Sequence, residues 1–422
     1  MTTIERQKIV YNLLCSVYKD GAYSGIVLND ELKCLDNSDD KSYVTAMFYG
    51  VLEKDVVLSY YVSRLCAKKP KNSVKILLKI GIYLLKFTST PDYAVIDNVV
   101  KLCKIIGKKE VSGFINAVLR KTKEIELPIE EKTAESLSLY CSVPLWIAQN
   151  LISDYGYDKA KAILSAKLNT KTHVRPNLSK ITAVEFEKRI ENYEKSPLGY
   201  YVESGELKKF RDYEYTVMSL ASMYAVRYYN SGIKRASNVL DTCSAPGGKA
   251  IYLEEIGLHN VVACDIHKHR VNLIKQYAKR MSSNITVKQN DATVYCGDWL
   301  EKFDAVICDV PCSGIGVISS KPDILLNRNR EDVVALSDIQ LKILQTSANY
   351  VKKGGTLFYS TCTVMNKEND EVVEKFLSSR NDFAIEKFDC GLIKSDDNGF
   401  VRLLPDDNGC DGFFVVGMRR NA

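Results

Sequence analysis

Residues 241 to 249 read Asp241-Thr242-Cys243-Ser244-Ala245-Pro246-Gly247-Gly248-Lys249. The run Asn238-Val239-Leu240 precedes them and Ile251-Tyr252-Leu253 follows, which predicts a strand end, a tight turn and the first turn of a helix. Gly247 and Gly248 have no Cβ, so backbone can lie close to a ligand, and the N–H groups that open the helix face an acceptor. The G-x-G-x-x-G spacing of dinucleotide corners is absent, and Asp241 at the strand end would repel a pyrophosphate. A ligand with a cation and hydroxyls but no phosphate suits this corner, and S-adenosylmethionine has that chemistry. Taken alone the stretch is equally a ligand-free Gly-rich turn, so its neighbours decide.

Outward from this corner, strands and helices alternate. Strands are predicted at 238–242, 260–265, 284–289, 303–309 and 355–361, with helices at 249–256, 268–281 and 331–351. That order is an α/β, Rossmann-like doubly wound parallel sheet, to which Gly412-Phe413-Phe414-Val415-Val416-Gly417-Met418 could add a closing strand. Ligands of such sheets gather at the carboxyl ends of the strands. Asp265 ends the second strand, Asp291 follows the third and Asp309 ends the fourth. The first can accept ribose hydroxyls, the second an adenine amino group, and the third a methionine amine or the base of a substrate. Singly, each is equally a turn or cap residue. Together with the Gly-Gly corner they point to S-adenosylmethionine, with Lys249 bonded to the cofactor or holding the turn.

Two strand ends carry cysteine: Asp309-Val310-Pro311-Cys312-Ser313-Gly314-Ile315-Gly316 and Tyr359-Ser360-Thr361-Cys362-Thr363. Methyl transfer to oxygen or nitrogen needs no protein nucleophile, because the acceptor has a lone pair. Carbon 5 of a pyrimidine has none. A thiolate added to carbon 6 makes the ring an enamine whose carbon 5 can attack a methyl sulfonium, after which a base removes the proton and the cysteine leaves. A donor at ring nitrogen 3 would stabilise the adduct, and Asp309, if protonated, is placed for that. The residues themselves leave open which cysteine attacks.

The whole chain sets the frame. Its 422 residues suffice for two or three domains, and 46% apolar with 26% charged residues is an ordinary globular composition. A formal charge of +6 suits an anionic partner without requiring one. The N-terminus lacks the apolar core of a signal peptide and no apolar run is long enough to span a membrane, so a cytoplasmic protein with no membrane partner is expected. Thirteen cysteines with no C-x-x-C pair, and only His173, His259, His267 and His269, argue against disulfides and against a metal site.

From Ile9 to Lys123 apolar residues recur at helical spacing, and Pro70, Pro91 and Pro128 fall between the periodic segments, which predicts an all-α domain over 1–128. Lys68, Lys69, Lys71, Lys75 and Lys79, and Lys101, Lys104, Lys108 and Lys109, read as solvated faces or phosphate contacts. Residues 129–236 have a mixed texture expected of a small α+β linker subdomain. Within it, Pro144 and Trp146 sit at a helix start, and Thr172 to Asn177 is predicted as an edge strand because Pro176 cannot donate to a ladder. Tyrosines 193, 200, 201, 213, 215, 224, 228 and 229, interleaved with Lys195, Lys208, Lys209, Arg211 and Arg227, offer either stacking faces for RNA or core packing.

Two resemblances sharpen this reading. Tyr49-Gly50-Val51-Leu52, Gly81-Ile82-Tyr83-Leu84-Leu85 and Gly113-Phe114-Ile115-Asn116-Ala117-Val118-Leu119-Arg120 resemble the NusB-like helical domain of antitermination and ribosomal RNA-modifying proteins, implying an RNA-binding module over about the first 125 residues. Asp241 to Lys249, Asp309 to Gly316 and Ser360 to Thr363 resemble the RNA cytosine-5 methyltransferase family, implying a catalytic domain over 237–422. The family resemblance assigns Cys362 as nucleophile and Cys312 to product release. It implies that Cys243, Ser244, Ala245, Pro246, Gly247, Gly248, Lys249, Asp265, Asp291 and Asp309 contact S-adenosylmethionine. It also implies small-subunit (16S) ribosomal RNA as partner, naked or within a pre-ribosomal subunit, and a monomeric enzyme. Val310 stands where family members often have proline, and Met218-Ser219 follows Val217 where they tend to have Gln-Asp. A transfer RNA methyltransferase of the same chemistry and a non-catalytic RNA-binding or antitermination factor are the rival readings.

Overall fold

The computed structural model describes residues 1–203 and 205–421 and divides into two compact units, Met1–Leu164 with Ile318–Arg328, and Ser165–Val317 with residues from Asn329 onward. This division follows compactness, whereas the boundaries at 128 and 236 follow sequence texture.

The first unit is helical, as the periodicity predicts. Its helices include Thr3–Asp20, Ser38–Glu53, Asp55–Leu65, Asn72–Phe87, Asp92–Ile105 and Ser112–Lys121. Thr2 and Glu5 form a capping box at the first start, and Asn37 accepts from the N–H groups of Asp39 and Asp40 at the start of the 38–53 helix. Asn72–Phe87 is the centre of the unit. It buries Val74, Ile76, Leu77, Leu78, Ile80, Ile82 and Leu84, so it is apolar nearly all round rather than along one stripe. Each such side chain contributes about 1.5–3 kcal/mol by leaving water. A Cβ on Gly81 would lie 2.6 Å from Leu119 Cδ2, and one on Gly50 2.1 Å from the Tyr83 hydroxyl, so these two glycines allow the helices to approach. Lys79 departs from the solvated-face reading: it is buried and paired with Asp55.

The second unit holds two sheets. The smaller is antiparallel with order β2-β3-β1-β4, from β1 (Thr172–Pro176), β2 (Tyr193–Ser196), β3 (Gly199–Val202) and β4 (Tyr215–Val217). This corrects the edge-strand expectation, because β1 pairs on both sides. Pro176 is tolerated there as the last residue of the strand, paired with Tyr215 on β4 but beyond the last β3 partner, Val174↔Tyr200. Ser219 caps the following helix, Leu220–Ser231, by accepting from Ser222 N at 3.3 Å.

The larger sheet has order β10-β12-β9-β8-β5-β6-β7. Its parallel strands are β5 (Asn238–Asp241), β6 (Asn260–Asp265), β7 (Thr286–Gln289), β8 (Phe303–Asp309) and β9 (Val351–Thr361). β10 (Phe383–Ile385), β11 (Val401–Leu403) and β12 (Phe413–Arg420) run antiparallel to their partners, and β12 realises the predicted closing strand. Helices Gly248–Gly257, Lys268–Met281 and Arg330–Ala348 connect the parallel strands and cover the sheet. Strand order runs outward from β5 in both directions, through β6 and β7 on one side and β8 and β9 on the other. The switch point therefore falls at the carboxyl ends of β5 and β8.

Candidate active site

The corner after β5 is built by backbone. Thr242 N donates to Ile307 O (3.0 Å), Ser244 N to Cys264 O (2.7 Å) and Gly247 N to Ser244 O (2.7 Å), tying residues 242 to 247 to β8 and β6. Gly247 has φ +105°, a conformation that side-chain-bearing residues avoid, and it starts the helix Gly248–Gly257. A Cβ there would stand 3.0 Å from Ile274, so the turn already lies against the neighbouring helix. At the end of β6, Asp265 is 3% exposed, accepts from His267 N (3.0 Å) and pairs with Arg270 (3.3 Å). Past β7, Asp291 accepts from the N–H and hydroxyl of Thr293 at 2.8 and 2.7 Å. One residue earlier, Asn290 Nδ2 is buried without a partner, a donor left for a ligand. Open N–H groups at a helix start, an orphan amide donor and carboxylates at successive strand ends fit an adenosine-bearing cation such as S-adenosylmethionine, and the carboxylates disfavour a phosphate.

The middle of the edge is one electrostatic unit. Lys249 Nζ lies 2.7 Å from Asp309 Oδ2, and Ser360 Oγ donates to Asp309 Oδ1 at 3.0 Å. Ser360 Oγ is in turn 2.5 Å from the hydroxyl of Tyr229, whose ring is fully buried. Burial opposes the charge on Lys249, but Asp309, then Cys362 and Asp241, outweigh it and raise the ammonium, so it stays protonated. Asp241 is 2% exposed, and burial followed by the charge of Asp309 pushes its carboxyl up to about 7. Lys249 and Asp309 thus form an ion pair at the carboxyl end of β8.

The two cysteines meet. Cys312 Sγ and Cys362 Sγ are 2.9 Å apart, and Cys362 N donates to Cys312 Sγ at 3.3 Å. The contact with Cys362, reinforced by burial, drives the Cys312 thiol well above its ordinary value, so Cys312 keeps its proton. Gly316 N donates to Cys362 O (3.1 Å), and a Cβ on Gly316 would stand 2.4 Å from Gly412 O and 2.8 Å from Cys362 O, so only glycine fits where the two cysteine segments cross β12's approach. Thr361 Oγ1 donates to Asn369 Oδ1 (2.6 Å) and Asn369 Nδ2 to Thr363 O (3.1 Å), bracing both sides of Cys362. Elsewhere burial pushes Cys264, Cys308 and Cys410 up to about 12, which makes them inert packing residues.

Sequence reading missed Tyr229, Ser360 and Asn369 as parts of this site. Of the tyrosines that could stack on RNA or pack in the core, Tyr200, Tyr224, Tyr228 and Tyr229 are buried, which is the packing alternative, and Tyr229 in addition reaches Ser360. Asn369 lies seven residues past Cys362 with no spacing signal to single it out.

A Rossmann-like sheet with carboxylates at successive strand ends, in a chain whose N-terminal part is a separate helical unit, is the architecture of an S-adenosylmethionine-dependent methyltransferase. Comparison with known proteins makes this specific. A family described as "16S rRNA methyltransferase RsmB/F" matches residues 232–419, and the NusB family matches residues 5–124. The chain is 32% identical to the "Probable ribosomal RNA small subunit methyltransferase B" of Bacillus subtilis (strain 168), over 98% of each chain. It is 29% identical to the "Ribosomal RNA small subunit methyltransferase B" of Xylella fastidiosa (strain Temecula1), over 97% of this chain and 96% of that one. The solved structure named PH0851 superposes with a TM-score of 0.82 at 20% identity, covering 100% of this chain and 99% of the other, a likeness of fold. The chain belongs to the ribosomal RNA small subunit methyltransferase B family and is an S-adenosylmethionine-dependent methyltransferase. Among the described residues no helix is long and apolar enough to cross a membrane, and no group of three His, Cys, Asp or Glu is arranged to hold a metal.

Proposed function

We propose that the enzyme methylates carbon 5 of a cytosine in 16S ribosomal RNA through a covalent adduct with Cys362. The observation that carries this reading is the pair of sulfurs 2.9 Å apart beside the Lys249–Asp309 pair. Cys312 retains its proton and donates S–H to Cys362, which leaves Cys362 as the sulfur able to carry negative charge. Its thiolate adds to carbon 6 of the base. As charge develops on the ring, Asp309 takes a proton from Lys249 and presents it to ring nitrogen 3. S-adenosylmethionine, when bound, supplies an electrophilic methyl group, and Cys243 to Lys249, Asp265, Asp291 and Asp309 would hold it. A base then removes the proton from carbon 5, the carbon–sulfur bond breaks with Cys312 donating its S–H to the departing thiolate, and ring nitrogen 3 returns its proton to the Lys249–Asp309 pair. The helical unit, as a NusB-like module, binds the RNA, and the enzyme acts as a monomer without a metal, on ribosomal RNA either free or within an assembling small subunit.

Cys362→Ala is expected to abolish methylation with S-adenosylmethionine affinity unchanged, and Cys312→Ala to accumulate a protein–RNA adduct stable in denaturant. Both are read with RNA from a strain lacking the gene, the methylated nucleotide being mapped by mass spectrometry. Product on an exocyclic nitrogen or a sugar oxygen, or methyl incorporation into transfer RNA alone, would refute the proposal.

A further inference from the structure

The loop that carries Cys312 is held by a buried carboxylate which no motif marked. Glu368 is 0% exposed, and its Oε1 accepts from Ser313 N (2.8 Å) and Gln340 Nε2 (3.0 Å), while Oε2 accepts from the Ser313 hydroxyl. Gln340, on the helix Arg330–Ala348, also donates to Pro311 O at 2.9 Å. Both chain neighbours of Cys312 are therefore fastened to one carboxylate, directly through Ser313 and through Gln340 at Pro311. The partner loop joins the same chain of bonds: Met365 N donates to Thr363 Oγ1 (3.3 Å), and Thr363 Oγ1 lies 3.0 Å from Ser313 Oγ. With Glu368 ionised, every hydroxyl has one consistent orientation, Thr363 donating to Ser313 and Ser313 to Glu368. Tyr359 fixes the far side, its hydroxyl donating to the Glu368 carbonyl and reaching Gln340 Oε1 at 3.2 Å.

Among the described residues no Lys, Arg or His pairs with Glu368, so its charge is met by N–H and O–H donors alone, from Ser313 beside Cys312 and from Gln340. Desolvating a carboxylate is costly, and a neutral residue could fill the same space. What the carboxylate adds is a set of acceptors that Ser313 N–H, Ser313 O–H and the Gln340 amide can satisfy only when the Pro311–Ser313 segment is in one position. We propose that Glu368 is a positioning residue for product release: it acts through Ser313 and Gln340 to hold the Cys312 S–H against the Cys362 sulfur. This rests on the assignment of Cys362 to attack and Cys312 to release.

The test uses the full chain, in vitro transcribed 16S ribosomal RNA and S-adenosylmethionine, comparing Glu368→Ala, Glu368→Gln, Ser313→Ala and Cys312→Ala. Glu368→Ala is expected to accumulate methylated protein–RNA adduct as Cys312→Ala does. Its multiple-turnover rate should fall roughly 10- to 100-fold, with the single-turnover rate of methyl transfer and S-adenosylmethionine affinity changed by no more than about twofold. Glu368→Gln keeps the Oε1 acceptor and should recover part of the turnover; Ser313→Ala should trap an intermediate amount of adduct. If Glu368→Ala does not fold, the Gln and Ser313 variants carry the test, and wild-type adduct levels in both overturn the proposal. An equal loss of methyl transfer, cofactor affinity and turnover would mark Glu368 as structural only and overturn it as well. Trapping by Cys312→Ala but by none of the others defeats the role of Glu368 alone, whereas no trapping by Cys312→Ala defeats the release assignment and this proposal with it.

Discussion

The interior of the helical unit and the carboxyl edge of the large sheet are both buried, but they bury different chemistry. The first is a continuous apolar cluster from Val10 to Leu119 with a buried ion pair, Lys79 with Asp55, set against Tyr18. The second buries Asp241, Asp265, Ser313, Thr361, Thr363, Glu368 and Asn369 along the strand ends that also carry the two sulfurs. Apolar burial is non-directional and adds stability in proportion to area, so many sequences would fill the first region. Buried polar groups contribute little net stability, yet each has few satisfied arrangements, so the second region fixes atoms rather than energy. Damage to the helical interior should lower stability and spare the chemistry of each folded molecule. Damage to the sheet edge should do the reverse.

The largest expected effect lies where the helical unit departs from its own pattern. Lys79 is 2% exposed; burial lowers its ammonium while Asp55 raises it, and the Tyr18 hydroxyl also donates to Asp55. Asp55→Ala would leave that cation uncompensated, costing roughly 3–5 kcal/mol in urea-unfolding stability, and adding Lys79→Met should restore most of it. Methyl transfer per folded molecule should hardly change; a matching loss of turnover would break the contrast. At the sheet edge the counterpart is Gly316→Ala. Its Cβ meets only backbone, the carbonyl oxygens of Gly412 and Cys362, so the Thr-Cys segment has to shift. A displacement of reacting atoms by a few tenths of an ångström or more should reduce single-turnover methyl transfer roughly 100-fold, with a melting temperature lowered by only a few degrees. Unchanged kinetics in that variant would show that the segment tolerates the shift.

The same contrast explains what could be read in advance. Period-3.6 spacing revealed the helical unit because apolar burial writes itself along a helix, and alternation of element types revealed the sheet down to β12. The cysteines and the Gly-Gly corner could be read because each sits inside a short contiguous motif, and the carboxylates because each sits at the end of a predicted strand. Lys79 was misread, since a lysine among lysines shows nothing of a carboxylate 24 residues away. Pro176 was misread because the rule against proline in a central strand lapses at the strand's last residue. Glu368, Gln340 and Tyr229 were invisible for a related reason: their partners Ser313, Pro311 and Ser360 lie 29 to 131 residues off, brought close only by folding.

The smallest effect, and the sharpest probe of the edge, is the pH dependence carried by Asp241. Its folded value of about 7 stands above the ordinary 3.8, so between those values the folded chain holds a proton that the unfolded chain has released. Protons bound in excess by the folded state mean that stability is full at low pH and falls as pH rises through this window, levelling off above about 7. One pH unit is worth ~1.4 kcal/mol, so the loss between pH 5 and pH 7 is on the order of 2 kcal/mol. Asp241→Asn keeps an acceptor for Cys243 N, which lies 3.4 Å from Oδ1, but cannot ionise. Relative to wild type, the variant should therefore gain about 2 kcal/mol between pH 5 and pH 8, measured from urea midpoints without cofactor. Its affinity for the cationic cofactor should match wild type at pH 5 and fall behind at pH 8, where only the wild type presents a second carboxylate beside Asp309. A stability difference that stays constant across the range would mean that Asp241 is already charged in the folded chain at pH 5, and that the edge fixes its atoms without the electrostatic tension that sets it apart from the helical core.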